Sequence, residues 1–89
     1  MKHNRIYKLN DQYISTPNSE NGVFICETKD IIPTTEVGNM ILFKVTNNTQ
    51  TEFITAIDAS TALQAFLDIH KSVTLFATVI CFVKDVKAI

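Results

Sequence analysis

The chain has 89 residues, 46% of them apolar and 19% charged, with two Gly, two Pro and a formal net charge of −1. That length gives one small domain, expected over residues 1–89, without room for a cofactor-binding half beside a substrate-binding half. The composition is too apolar for disorder and too poor in Gly and Pro for a linker. Eight Lys plus Arg against nine Asp plus Glu also remove the electrostatic footprint of a nucleic-acid binder, and equally that of an acidic nucleic-acid mimic.

Met1-Lys2-His3-Asn4-Arg5 runs into the polar Tyr7-Lys8-Leu9-Asn10-Asp11 rather than into an apolar signal core, so a cytoplasmic chain without a signal peptide is expected. Ile6-Tyr7-Lys8-Leu9 and Gln12-Tyr13-Ile14-Ser15 flank Asn10-Asp11, two residues that tolerate positive φ, which predicts a tight hairpin. Thr16 to Gly22 has turn chemistry throughout, with Asn21-Gly22 allowing a left-handed step before the apolar strand Val23-Phe24-Ile25-Cys26. Lys29 to Asn39 shows no period and is broken by Pro33 and Gly38, so it reads as an ordered loop. Met40 to Thr46 and Thr51 to Ile57 form a second hairpin across Asn47-Asn48, where the sequon Asn47-Asn48-Thr49 reads as a turn.

Asp58 is placed to cap a helix over about residues 59–70, in which Ala59, Ala62, Leu63, Phe66, Leu67 and Ile69 form the apolar stripe. Lys71 lies near the negative end of that helix, and Ser72 to Val86 resumes as one long strand rich in Val, Ile, Phe and Thr. If this strand lies parallel to Thr51–Ile57, the helix is the crossover between them. Its twelve uncharged residues, Ser72 to Val83, are too few to cross a membrane as a helix. No internal repeat is visible. The order of elements predicts an α+β two-layer sandwich: a mostly antiparallel sheet of five to six strands with one helix on one face.

Chemistry-bearing residues are sparse. His3 and His70 stand at a terminus and at a helix end, where neither resembles a positioned base. Cys26 and Cys81 sit in apolar runs, the setting of buried free thiols rather than of a disulfide. No His or Cys pair has zinc spacing, Gly22 and Gly38 form no phosphate loop, and the carboxylates are scattered. The reading is therefore of a non-enzymatic chain with no catalytic residue, cofactor or metal. Lys2, Arg5 and Lys8 beside Tyr7 make a weak basic patch, of the kind a small nucleic-acid-binding domain would use, although solvated terminal charges are commoner.

The informative pattern is apolar. In the last strand Leu75, Ala77, Val79, Cys81 and Val83 alternate with Phe76, Thr78, Ile80 and Phe82, so both faces call for burial. One helix covers only one of them. Leaving ~400 Å² of the second face wet would forgo on the order of 10 kcal/mol. Either the N-terminal hairpin and the Lys29–Asn39 loop fold over it, or a protein partner or second copy does, a homodimer being the natural form; association is the favoured solution. The candidate surface is Phe76, Ile80 and Phe82 with Ile31, Ile32 and Glu36 of the loop.

From Phe53-Ile54-Thr55-Ala56-Ile57-Asp58 through Ala59-Ser60-Thr61-Ala62-Leu63-Gln64-Ala65-Phe66 the chain resembles a strand, capping Asp and Ala-rich helix module of small phage and mobile-element proteins, some anti-CRISPR proteins among them. The resemblance covers about the last forty residues. It implies a phage-type accessory or inhibitor protein that acts without turnover by occupying a surface of a larger host protein. A homo-oligomeric or virion-associated subunit is the alternative, and a nucleic-acid-binding domain the second.

Overall fold

The computed structural model describes residues 3–35 and 38–89. Strands β1 (Arg5–Leu9) and β2 (Gln12–Thr16) pair antiparallel across Asn10 and Asp11, whose φ angles of 51° and 64° make the predicted mirror-image turn. Strand β3 (Val23–Glu27) returns along β1. Gly22 begins it without positive φ; a Cβ at this position would collide with the Lys8 carbonyl, so close approach rather than a left-handed step requires the glycine. A 3-10 turn over Thr28–Asp30 leads into β4 (Ile31–Pro33). Strands β5 (Ile41–Thr46) and β6 (Thr51–Ala56) form the second hairpin, closed by Asn47, whose Oδ1 accepts from the amides of Thr49 at 2.8 Å and Gln50 at 2.7 Å. Helix α1 (Ala59–Ile69) follows, then β7 (Phe76–Phe82), a second 3-10 turn over Val83–Asp85, and β8 (Val86–Ala88).

The fold is α+β, as expected, but the strands divide differently. Among the described residues they form two four-stranded sheets, ordered β3-β1-β2-β8 and β4-β6-β5-β7, in place of one sheet of five to six. The Lys29–Asn39 segment contributes β4, whose three residues pair parallel with β6 and give little periodicity to read. The expected long strand Ser72–Val86 is cut short: β7 begins at Phe76, and the turn at Val83 carries the chain into the other sheet. Strand β7 runs parallel to β6, but β5 lies between them, so α1 crosses over β5 to reach the edge.

Three layers result. Phe43, Val45, Ile54 and Ala56 of the second sheet pack against Ala62 and Phe66 of α1. Leu42, Phe53, Ile80 and Cys81, on the opposite side of that sheet, pack with Ile6, Tyr13 and Cys26 of the first. The chain's own N-terminal strands thus cover the apolar face that was expected to need a partner, which removes that reason for association.

The structure also overturns the absence of a repeat. Each half of the chain is a hairpin, a third strand beside the hairpin's first, a 3-10 turn, and a fourth strand exchanged into the opposite sheet, where it pairs parallel with the other hairpin's second strand. The registers coincide: Ile6 opposes Ser15 and Cys26 as Leu42 opposes Thr55 and Cys81. Both third strands carry an extra residue at the same place, Ile25 and Ile80. The Thr28 amide donates to the Asn4 carbonyl, and the Val83 amide to the Met40 carbonyl, each at 2.9 Å. The sequence keeps a short echo, Ile25-Cys26 with Lys29-Asp30-Ile31 against Ile80-Cys81 with Lys84-Asp85-Val86. Between β2 and β3 the first half has only a polar loop where the second has α1, and that inserted helix hides the period.

Candidate docking edge

A sheet of four strands has two edges, and an edge presents unpaired N–H and C=O groups unless something blunts it. Two of the four edges among the described residues are only three residues long. Strand β4 has three residues and includes Pro33, which has no N–H to offer. Strand β8 is equally short and carries Lys87. Strand β3 has five residues, exposes Val23 and Phe24, and ends in Glu27, paired to Lys29 at 3.3 Å. The remaining edge, β7, has seven residues, and no charged residue or proline lies between Ser72 and Val83. Phe76, Val79 and Phe82 on it are 63%, 57% and 42% exposed.

The extra residue in β7 decides where its side chains go. Val79 opposes Phe43 and Cys81 opposes Leu42, leaving Ile80 without a cross-strand partner. The inserted residue reverses the alternation beyond it. Ile80 and Cys81 therefore both pack in the layer between the sheets, while Phe82 stands opposite Ile41, on the helix side. Phe76, Ile80 and Phe82 were expected to share one face; they do not. Ile80 is partly buried against the core between the sheets, and Phe82 lies under Lys84, whose Nζ is 5.5 Å from the ring centroid. Val79 is the exposed edge residue that alternation alone misses, although the uncharged run around it was legible.

The loop members of the expected surface are also separated. Ile31 packs into the layer between the sheets and Ile32 against the helix-side core, and Glu36 lies outside the described residues. Thr34, just beyond β4, has a buried Oγ1 with no hydrogen-bond partner among the described residues and lines a cleft with Ile32, Gln64 and Asp68 beside α1.

Lys2 of the basic patch likewise lies outside the described residues. Arg5 and Lys8 sit an odd number of positions apart on β1 and so project to opposite faces. Arg5 Nη1 donates to the Pro17 carbonyl at 3.4 Å, and Lys8 Nζ lies 5.9 Å from the Tyr13 ring centroid. The two charges are not gathered on one surface.

Cys26 and Cys81 are free thiols. Burial, followed by the Asp30 charge and Cys81, pushes the Cys26 thiol up to about 11; burial and then Asp85 raise Cys81. Such thiols are poor nucleophiles at neutral pH. His70, the residue that ends α1, has Nε2 3.7 Å from Glu52 Oε2 and its ring 5.0 Å from that of Phe66, a packing role at the helix terminus. No helix among the described residues is long and apolar enough to cross a membrane.

No family model, curated protein or solved structure matches the chain.

Proposed function

We propose that the chain is a non-enzymatic protein-binding module, of the phage accessory or inhibitor kind, that docks on a larger host protein through β7. The observation carrying this reading is the longest edge strand among the described residues: seven residues of extended backbone within an uncharged run, with Phe76, Val79 and Phe82 beside it. A strand of the partner adding to β7 would satisfy the open backbone groups, and the three side chains would supply apolar contact and register. The resemblance of Phe53–Phe66 to accessory-protein modules supports the same reading, as does the scarcity of paired reactive groups. The protein is read as acting in the host cytoplasm.

The same edge serves the alternative, a homo-oligomeric or virion-associated subunit, because an antiparallel strand pair can be formed by two copies about a twofold axis. A nucleic-acid-binding domain draws less support, since Arg5 and Lys8 project apart.

Val79→Lys places a charge on the edge with little demand on the core. The test is capture from host lysate by the wild-type chain, identification of the bound protein, and reconstitution from purified components. A stoichiometric complex lost with Val79→Lys supports docking through β7, whereas a complex that this variant retains rejects it. Light scattering of the pure protein separates the alternative: a stable dimer that Val79→Lys dissolves identifies the second copy as the occupant.

A further inference from the structure

A cleft of about 260 Å³ lies where the two halves of the repeat meet, between the two 3-10 turns. Its walls come in equivalent pairs: Ile6 with Leu42, Ile31 with Val86, and Ser15 with Thr55. The cleft therefore sits on the approximate twofold axis and is built by the fold itself, not by a stray surface loop. A cavity of ~150 Å³ takes a benzene ring, so this one has room for a ring with a substituent.

The fourth pair breaks the symmetry, for Thr28 in one half is matched by Val83 in the other. On the Thr28 side, Asn4 ties the polar groups together: its Nδ2 donates to Ser15 Oγ at 3.0 Å, and its carbonyl accepts from Thr28 Oγ1 at 3.0 Å. Ser15 keeps its hydroxyl proton to donate, and Thr28 Oγ1 keeps lone pairs to accept. Across the cleft, Val83, Val86 and Leu42 offer only carbon, with the hydroxyl-bearing Thr55 beside Leu42. Among the described residues no charged side chain lines it.

We propose that this cleft is a binding site for one small uncharged molecule with an apolar body and a single hydroxyl or amide end. The polar end sits against Ser15 and Thr28, and the body against Leu42, Val83 and Val86. Such a mostly apolar pocket with a few polar groups fixing orientation has the usual make-up of a small-molecule site. It is separate from the β7 edge and stands whether or not a protein docks there.

Benzyl alcohol, toluene and benzoate are suitable probes, titrated into the full chain while the methyl resonances of Ile6, Ile31, Leu42 and Val86 are followed by NMR. Benzyl alcohol should shift these four saturably and raise Tm, toluene should bind several-fold more weakly, and benzoate should not bind. Ser15→Ala keeps the cavity and removes one donor, so it should weaken benzyl alcohol about fivefold while leaving toluene unchanged. Absence of saturable shifts with both neutral probes overturns the site. Benzoate binding as well as the alcohol, or an unchanged alcohol-to-toluene ratio in Ser15→Ala, overturns the assigned ligand chemistry.

Discussion

Cys26 and Cys81 hold the same position in the two halves of the fold, one opposite Ile6 on the third strand of its sheet and the other opposite Leu42 on the third strand of its own. Both point into the layer between the sheets. Their thiols are raised above the ordinary value of 9.0, Cys26 to about 11, chiefly because burial disfavours the thiolate. A group raised on folding contributes stability below its unfolded value and loses that contribution as the pH climbs through the folded one. The contribution of these thiols should therefore be constant below pH 9.0 and fall between pH 9.0 and about 11, by on the order of 2 kcal/mol for Cys26. Denaturant melts across that range check it: Cys26→Ala should flatten the alkaline decline. A matching decline in the variant would assign it to other groups.

The extra residue at Ile80 makes a second prediction. With unbroken alternation Ile80 and Phe82 would share a face, and an Asp at either would cost the same order of stability. With the bulge, Ile80 lies in the layer between the sheets while Phe82 is 42% exposed. Ile80→Asp should cost several kcal/mol, ~3 or more, because a carboxylate is forced into an apolar layer. Phe82→Asp should cost about 1 kcal/mol from lost packing. Urea melts of both variants measure the difference, and equal costs would contradict the bulge.

How far the sequence could be read follows from what each signal depends on. Local chemistry was legible: Asn10-Asp11 makes its turn, Asn47 closes its hairpin, Asp58 caps α1, and the helix stripe meets the sheet through Ala62 and Phe66. Each depends on residues close together in the chain. Long-range pairing was not legible, since β4 and β8 have three residues each and become strands only by lying beside β6 and β2. An inserted residue such as Ile80 leaves no mark on composition, so one bulge turned Phe82 away from the face expected to hold it with Phe76 and Ile80. The repeat escaped because α1 and a longer hairpin turn separate its matching strands by unequal lengths. Of the candidate docking site, the uncharged run was readable and the place of β7 at the edge of its sheet was not.

Phe66 is the anchor of α1. It is fully buried with Ala62 against Phe43, Val45 and Ile54, and α1 contributes no other buried residue. Truncating a buried Phe to Ala costs about 3–5 kcal/mol, a large share of what a domain of this size has to lose. Phe66→Ala should therefore leave the chain largely unfolded or with a strongly lowered Tm. Ile54→Val, one methyl smaller in the same cluster, should cost about 1 kcal/mol. Thermal melts rank the two, and a mild effect of Phe66→Ala would mean that α1 is not held by this contact.

At the start of the same helix, Asp58 Oδ1 accepts from the Thr61 amide at 2.8 Å. That hydrogen bond favours the charged carboxylate and lowers its pKa from the ordinary 3.8. A group lowered on folding contributes its stability above the unfolded value and loses it as the pH falls through the folded one. The contribution of Asp58 should accordingly be complete at neutral pH and disappear on acidification below 3.8. Asn still accepts the Thr61 amide but does not titrate. Tm should therefore fall in the order wild type, Asp58→Asn, Asp58→Ala at pH 7, and the gap between wild type and Asp58→Asn should close in acid. Circular dichroism melts at neutral and acid pH test both points; a gap that persists in acid would show that the charge at Asp58 is not what separates the two proteins.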